Sequence, residues 1–204
     1  MDIKNNMANI VSITRVFVAF AAIGLLFVYT QEAYIWALVL TIIAFIMDGV
    51  DGYIARKYNQ SSEWGSVLDI LGDRIVEASY WIVFAVMGWL NIIFPLICVT
   101  RAFTTDGIRS VALSKGMTAF GEKSMQSTVW GKFICASKFM RISYAVAKVA
   151  AFVLMIFAYI PNLQPYIADN VRSVALIFAW IAIIFCVVRA IPVVVESGKL
   201  FNEN

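Results

Sequence analysis

Four aspartates, Asp48, Asp51, Asp69 and Asp73, stand in the stretch MDGVDGYIARKYNQSSEWGSVLDILGD, between two long apolar runs. Residues three or four apart on a helix point to nearly the same side. Asp48 and Asp51 therefore share one helical face, and Asp69 and Asp73 share another. The segment between the pairs is short, so the two helices must pack side by side and bring four carboxylates toward one spot. Charges in a membrane bundle face its interior or a watery cavity and are a functional signal by default. Four carboxylates that close repel one another, so positive charge must sit among them. Arg56 alone does not balance four. Oxygen-only ligand sets favour the hard cations Mg²⁺ or Mn²⁺ over Zn²⁺. Two divalent ions would neutralise the aspartates and leave open positions for a diphosphate, the arrangement that serves phosphoryl transfer. The alternative is a set of helix-end aspartates, solvated at the interface or paired with Lys57 and Arg74. Agreement of the spacings on both helices favours the site. Gly52, Ala55 and Gly65 are small enough to let backbones, or a flat ligand, approach.

The elements that must carry these residues are membrane helices. Of the 204 residues, 62% are hydrophobic, and the mean hydropathy is +0.83. Soluble domains are only about 45–50% apolar, so this is a membrane protein. Crossing about 30 Å of hydrocarbon takes roughly 20 apolar residues. Spans are expected at about 10–30, 34–54, 64–87, 90–110, 141–160 and 171–195. The result is an all-α bundle of six transmembrane helices forming a single domain over 1–204. The first span is long for a signal-peptide core and is read as a mature helix. The polar stretch at 114–132 is expected as a loop or surface helix. The chain has no histidine, which removes the usual nitrogen ligand of zinc and haem sites. Cys98, Cys135 and Cys186 lack any CxxC spacing and read as small core- or lipid-facing side chains.

The connections alternate in charge. TQEA and MGWLN contain no Lys or Arg, and the 161–172 connection contains only Arg172. Lys4, Arg15, Arg56, Lys57, Arg109 and most other cations fall on the opposite side. The positive-inside rule then places both termini, and the aspartates, at the cytoplasmic face of the cell membrane. Trp36 and Trp89 fall at the outer ends and Trp64 and Trp130 at the inner ends, as an aromatic belt would.

The spacing Asp48-x2-Asp51-Gly52-x2-Ala55-Arg56-x8-Gly65-x3-Asp69-x3-Asp73 resembles the signature of the CDP-alcohol phosphotransferase family, with every fixed position filled. NIVSITR (9–15) is similar to the family's amino-terminal Asn-x-x-Thr/Ser-x-x-Arg element, although Ala8 stands where a proline is usual. The resemblance implies that Asp48, Asp51, Asp69 and Asp73 hold two divalent metal ions, Mg²⁺ or Mn²⁺, and that Asp73 is also the catalytic base. It implies that Gly52, Arg56 and Ser62 touch the cytidine nucleotide, with Asn9 and Ser12. It further implies a CDP-diacylglycerol donor, surrounding membrane lipids and a homodimer, with no nucleic-acid partner.

The acceptor is read from the second half. Arg101, Arg109, Lys132 and Lys138 are costly in apolar surroundings unless they meet an anion. TRAFTTDGIRSVA and WGKFICASK resemble segments of the members that make phosphatidylglycerophosphate. A phosphorylated small alcohol follows, with sn-glycerol 3-phosphate first. LDILGDRIVEASY also resembles members that make phosphatidylinositol phosphate, which keeps an inositol phosphate open. The other reading of these cations is a face that binds anionic lipid. A cation-coupled transporter would place its carboxylates near the midplane of repeated halves, and no such repeat is visible. A UbiA-type prenyltransferase has different aspartate motifs and more spans.

Overall fold

In the computed structural model, which describes residues 7–57, 63–115 and 128–201, seven α-helices and no strand occur among the described residues. They are α1 (Met7–Leu26), α2 (Gln31–Lys57), α3 (Glu63–Val86), α4 (Ile93–Ser114), α5 (Val129–Ala136), α6 (Lys138–Ala158) and α7 (Pro165–Phe201). Each expected span falls on a helix. Among the described residues, four stretches, Asn9–Leu26, Gln31–Gly49, Val129–Ala158 and Pro165–Gly198, are long and apolar enough to cross a membrane. Helices α3 and α4 are also long, at 24 and 22 residues, but they carry the aspartates and arginines that interrupt an apolar window. Large apolar side chains face outward on several helices, among them Phe17, Phe103 and Val195 at 70%, 77% and 72% exposure. That is a surface made for hydrocarbon, and the protein is a multi-pass membrane protein.

The helices pack as two compact units. One comprises Met1–Trp89 and Phe152–Ala175, the other Leu90–Ala151 and Leu176–Asn204. In the first, α1 packs on α2 and α3, and Ala19, Ala22, Ala37 and Ala44 are buried. Such small side chains let membrane helices approach closely. Phe152 of α6 is the centre of an aromatic cluster with Tyr80, Trp81 and Phe84 of α3, at ring separations of 5.1, 4.7 and 5.6 Å. The Tyr80 hydroxyl, buried with these rings, lies 2.7 Å from the Thr41 hydroxyl of α2.

Local signals end the helices. Tyr29 takes a positive φ between α1 and α2, and the Thr30 hydroxyl accepts from the Ala33 N–H at 3.3 Å. Gly88, with φ of 73°, ends α3. The Trp89 N–H bonds to the Phe84 carbonyl at 2.8 Å and the Gly88 N–H to Ala85 at 3.0 Å. This paired pattern is the Schellman cap, and its usual apolar contact is present as Trp89 on Phe84, 5.2 Å apart. Trp89 therefore folds inward. It stacks on Tyr159 at 4.3 Å and is only 8% exposed, unlike Trp36 at 62%. Of the two tryptophans expected at the outer ends, Trp36 is exposed and Trp89 is buried.

In the second unit Phe94 of α4 packs on Trp180 of α7 at 4.7 Å. The expected loop at 114–132 contains the start of α5. Thr128 caps that helix, accepting from the Gly131 N–H at 3.0 Å. Ser137, in extended conformation, separates α5 from α6. The three cysteines are buried and form no disulfide among the described residues, as their sequence context implied.

Candidate active site

The aspartates converge within the first unit. Asp48 lies in the C-terminal half of α2, and Asp69 and Asp73 lie one turn apart on α3. One carboxylate oxygen from each lies within 4.8 Å of the others. All three are partly exposed, so solvent and ligands reach them. Asp51, Gly52 and Arg56 belong to α2, with side chains outside the described residues, as is the whole of Ser62. Asn9 and Ser12 lie on α1, Ser12 buried and Asn9 partly so.

The positive charge that the cluster requires comes from α1. Arg15 is 2% exposed, and its guanidinium pairs with all three carboxylates. One terminal nitrogen reaches Asp48 and donates to Asp73 Oδ1 at 2.9 Å. The other lies 3.4 Å from Asp69 Oδ1 and 3.4 Å from the Asp69 carbonyl. Gly72 makes room for this. A Cβ there would stand 3.0 Å from Arg15 Nη2 and 3.4 Å from Val16 Cγ2. Sequence reasoning counted Arg15 among the inner-face cations and missed this role. The available signal was its place seven residues into an apolar span, where a cation needs a carboxylate partner.

The second unit holds a separate cationic group. Arg101 of α4 is 8% exposed, and its carbonyl accepts from the Thr105 hydroxyl at 2.9 Å. Arg101, Arg109, Arg189 and Glu196 all act electrostatically on the buried Cys135 of α5. The Cys135 thiol donates to the Arg189 carbonyl at 3.4 Å. The Arg189 guanidinium lies 5.5 Å from the centre of the Tyr144 ring. Glu196, also buried, accepts from the Thr128 hydroxyl. Gly131 leaves room beside it, and a Cβ there would force the Glu196 carboxylate to shift. Arg189 and Glu196 were not singled out in the sequence, although charges inside an apolar 37-residue helix are themselves a signal. Lys132 and Lys138 are exposed on α5 and at the start of α6.

An apolar groove of about 380 Å³ adjoins Arg101, lined by Leu96, Ile97 and Thr100 of α4 and Val187, Ala190 and Val194 of α7. Its wall is suited to hydrocarbon, with one cation at its edge.

Comparison with known proteins identifies a family. The sequence model of the family described as CDP-alcohol phosphatidyltransferase matches residues 5–191. Among curated proteins, the chain is similar to a CDP-diacylglycerol--glycerol-3-phosphate 3-phosphatidyltransferase of Mycoplasma pneumoniae, 29% identical over 115 residues, 56% of this chain and 48% of the relative. A protein of the same name from Bacillus subtilis is 26% identical over 145 residues, covering 68% of this chain and 75% of the relative. The one from Rickettsia prowazekii is 30% identical over 109 residues, 53% of this chain and 60% of the relative. The chain thus spans about half the length of the Mycoplasma relative.

Proposed function

The chain belongs to the CDP-alcohol phosphatidyltransferase family, and we propose that it transfers the phosphatidyl group of CDP-diacylglycerol to a phosphorylated alcohol, releasing CMP, in phospholipid synthesis. The acceptor we assign first is sn-glycerol 3-phosphate, which the names of the relatives support. The family match favours phosphatidyl transfer over solute transport. The observation that carries the reading is the convergence of Asp48, Asp69 and Asp73.

The donor set fits divalent Mg²⁺ or Mn²⁺. It is made of carboxylate oxygens alone, the hard ligands these ions prefer, and one oxygen from each of Asp48, Asp69 and Asp73 lies within 4.8 Å of the others. Asp48, Asp69 and Asp73, with Asp51 as the fourth, would hold two ions. When bound, such ions neutralise diphosphate charge and stabilise the departing CMP.

Asp73 accepts the proton of the acceptor hydroxyl. The resulting oxygen attacks the lipid-bearing phosphorus, the new P–O bond forms, and the bond to the CMP phosphate breaks. Arg56 holds the donor's phosphate in a planar fork, with Asn9, Ser12, Gly52 and Ser62 against the nucleotide. Arg101 and Arg109, with Lys132 and Lys138, bind the acceptor phosphate. In this reading the six long helices span the cell membrane as one domain, with both termini and the active site cytoplasmic, and the protein works as a homodimer.

The test is CMP release by the purified protein from CDP-diacylglycerol and a panel of alcohols. Release with sn-glycerol 3-phosphate, abolished by chelator and restored by Mg²⁺, is expected. Solute flux in proteoliposomes without CMP release would contradict the assignment.

A further inference from the structure

We propose that Arg15 is a resident counter-cation of the aspartate cluster, which competes with divalent ions for the Asp48, Asp69 and Asp73 oxygens and so weakens their binding. The proposal rests on the metal reading above. A guanidinium at 2% exposure on an apolar helix is costly unless paired and hydrogen-bonded. Here both terminal nitrogens are committed to the three carboxylates, while Nε is buried without a hydrogen-bond partner among the described residues. Among the described residues, the guanidinium's polar contacts are therefore made with Asp48, Asp69 and Asp73.

The oxygens it uses are those offered for metal ligation. Asp73 Oδ1, which accepts the Arg15 N–H at 2.9 Å, has one lone-pair direction fewer for an ion. A divalent ion on these oxygens would also lie within a few ångströms of a fixed positive charge, and that repulsion is poorly screened at a partly buried site. Nη2 of the arginine also lies against Gly72 of α3, where an added Cβ would stand 3.0 Å from it. Arg15 consequently does two things at once. It holds three mutually repelling carboxylates in register, and it lowers their affinity for divalent cations.

The experiment uses the full-length protein in detergent, with Mn²⁺ alone as the probe. Binding is read from the electron paramagnetic resonance signal of free Mn²⁺, and thermal unfolding is followed in EDTA and in saturating Mn²⁺. Arg15→Gln is expected to bind Mn²⁺ about tenfold more tightly or better. It is also expected to unfold at a lower temperature than the wild type in EDTA, with the gap narrowing in Mn²⁺. Arg15→Lys keeps the charge but loses the fork, and its Mn²⁺ affinity should fall between the two. Equal or weaker Mn²⁺ binding by Arg15→Gln, with the wild type binding normally, overturns the proposal. Should Arg15→Gln not fold, Arg15→Lys decides, and an affinity no tighter than wild type overturns it. If the wild type binds no Mn²⁺ while Arg15→Gln still loses stability in EDTA, the metal reading has failed and the competition fails with it.

Discussion

Arg15 of α1 donates a 2.9 Å hydrogen bond to Asp73 of α3, 58 positions later in the chain. The bond joins the residue assigned as the base to the helix that opens the fold. Catalytic geometry and the packing of α1 on α3 therefore depend on the same contact.

Gly72 lets that contact form, so Gly72→Ala tests it. The new methyl would meet an arginine nitrogen already held by carboxylates, and overpacking of this kind costs about 1–3 kcal/mol. A lower unfolding temperature and reduced CMP release are expected. Gly24→Ala, with nothing within 4 Å of its Cβ, should leave both unchanged or raise stability slightly. Equal behaviour of the two variants in a thermal-unfolding assay would contradict the close approach.

Phe152 should dominate the stability of the first unit. It is fully buried against three aromatic rings, and Phe152→Ala should cost about 3–5 kcal/mol. Tyr80→Phe removes only the hydroxyl contact with Thr41, which still donates to the Ala37 carbonyl at 2.7 Å, and should cost about 1 kcal/mol. Reversible unfolding in mixed micelles measures both, and the order of the two effects is the prediction.

These expectations also show what could be read from the chain alone. Asp69 and Asp73 were legible because helical periodicity fixes their shared face without any tertiary information. The extents of α2 and α3 followed from their apolar runs, within a few residues. Arg15 was not legible as the partner, because its position depends on the register of α1 against α3, which Gly72 sets through a contact between distant segments. The inward turn of Trp89 was hidden for a similar reason. The Gly88 cap directs it onto Phe84 and Tyr159, whereas composition alone suggests a membrane-interface residue. In the second unit Arg189 and Glu196 were overlooked within a long hydrophobic helix, and the pairing with Thr128 appears only once α5 has formed.

Arg109 provides a test of the acceptor. Arg109→Ala should raise the KM for the phosphorylated alcohol about tenfold or more, as expected when a charged hydrogen-bond donor to phosphate is lost. The affinity for CDP-diacylglycerol should change little. Lys115→Ala, at the exposed end of α4, should alter neither. Parallel titrations of the two substrates separate the outcomes, and equal shifts for both variants would mark the cations as a lipid-binding face.

The central claim is that the converging aspartates perform metal-dependent phosphatidyl transfer, and the most direct measurement is CMP release from CDP-diacylglycerol and sn-glycerol 3-phosphate by Asp48→Asn, Asp69→Asn and Asp73→Asn at saturating Mg²⁺. Each substitution keeps the side-chain size while removing a carboxylate charge, and each should reduce turnover by at least about a hundredfold, the scale on which charged catalytic groups contribute. The folded variants should elute from size exclusion as the wild type does. Near-normal CMP release by folded Asp48→Asn or Asp69→Asn would contradict the metal-ligand assignment, and near-normal release by Asp73→Asn would contradict its role as the base.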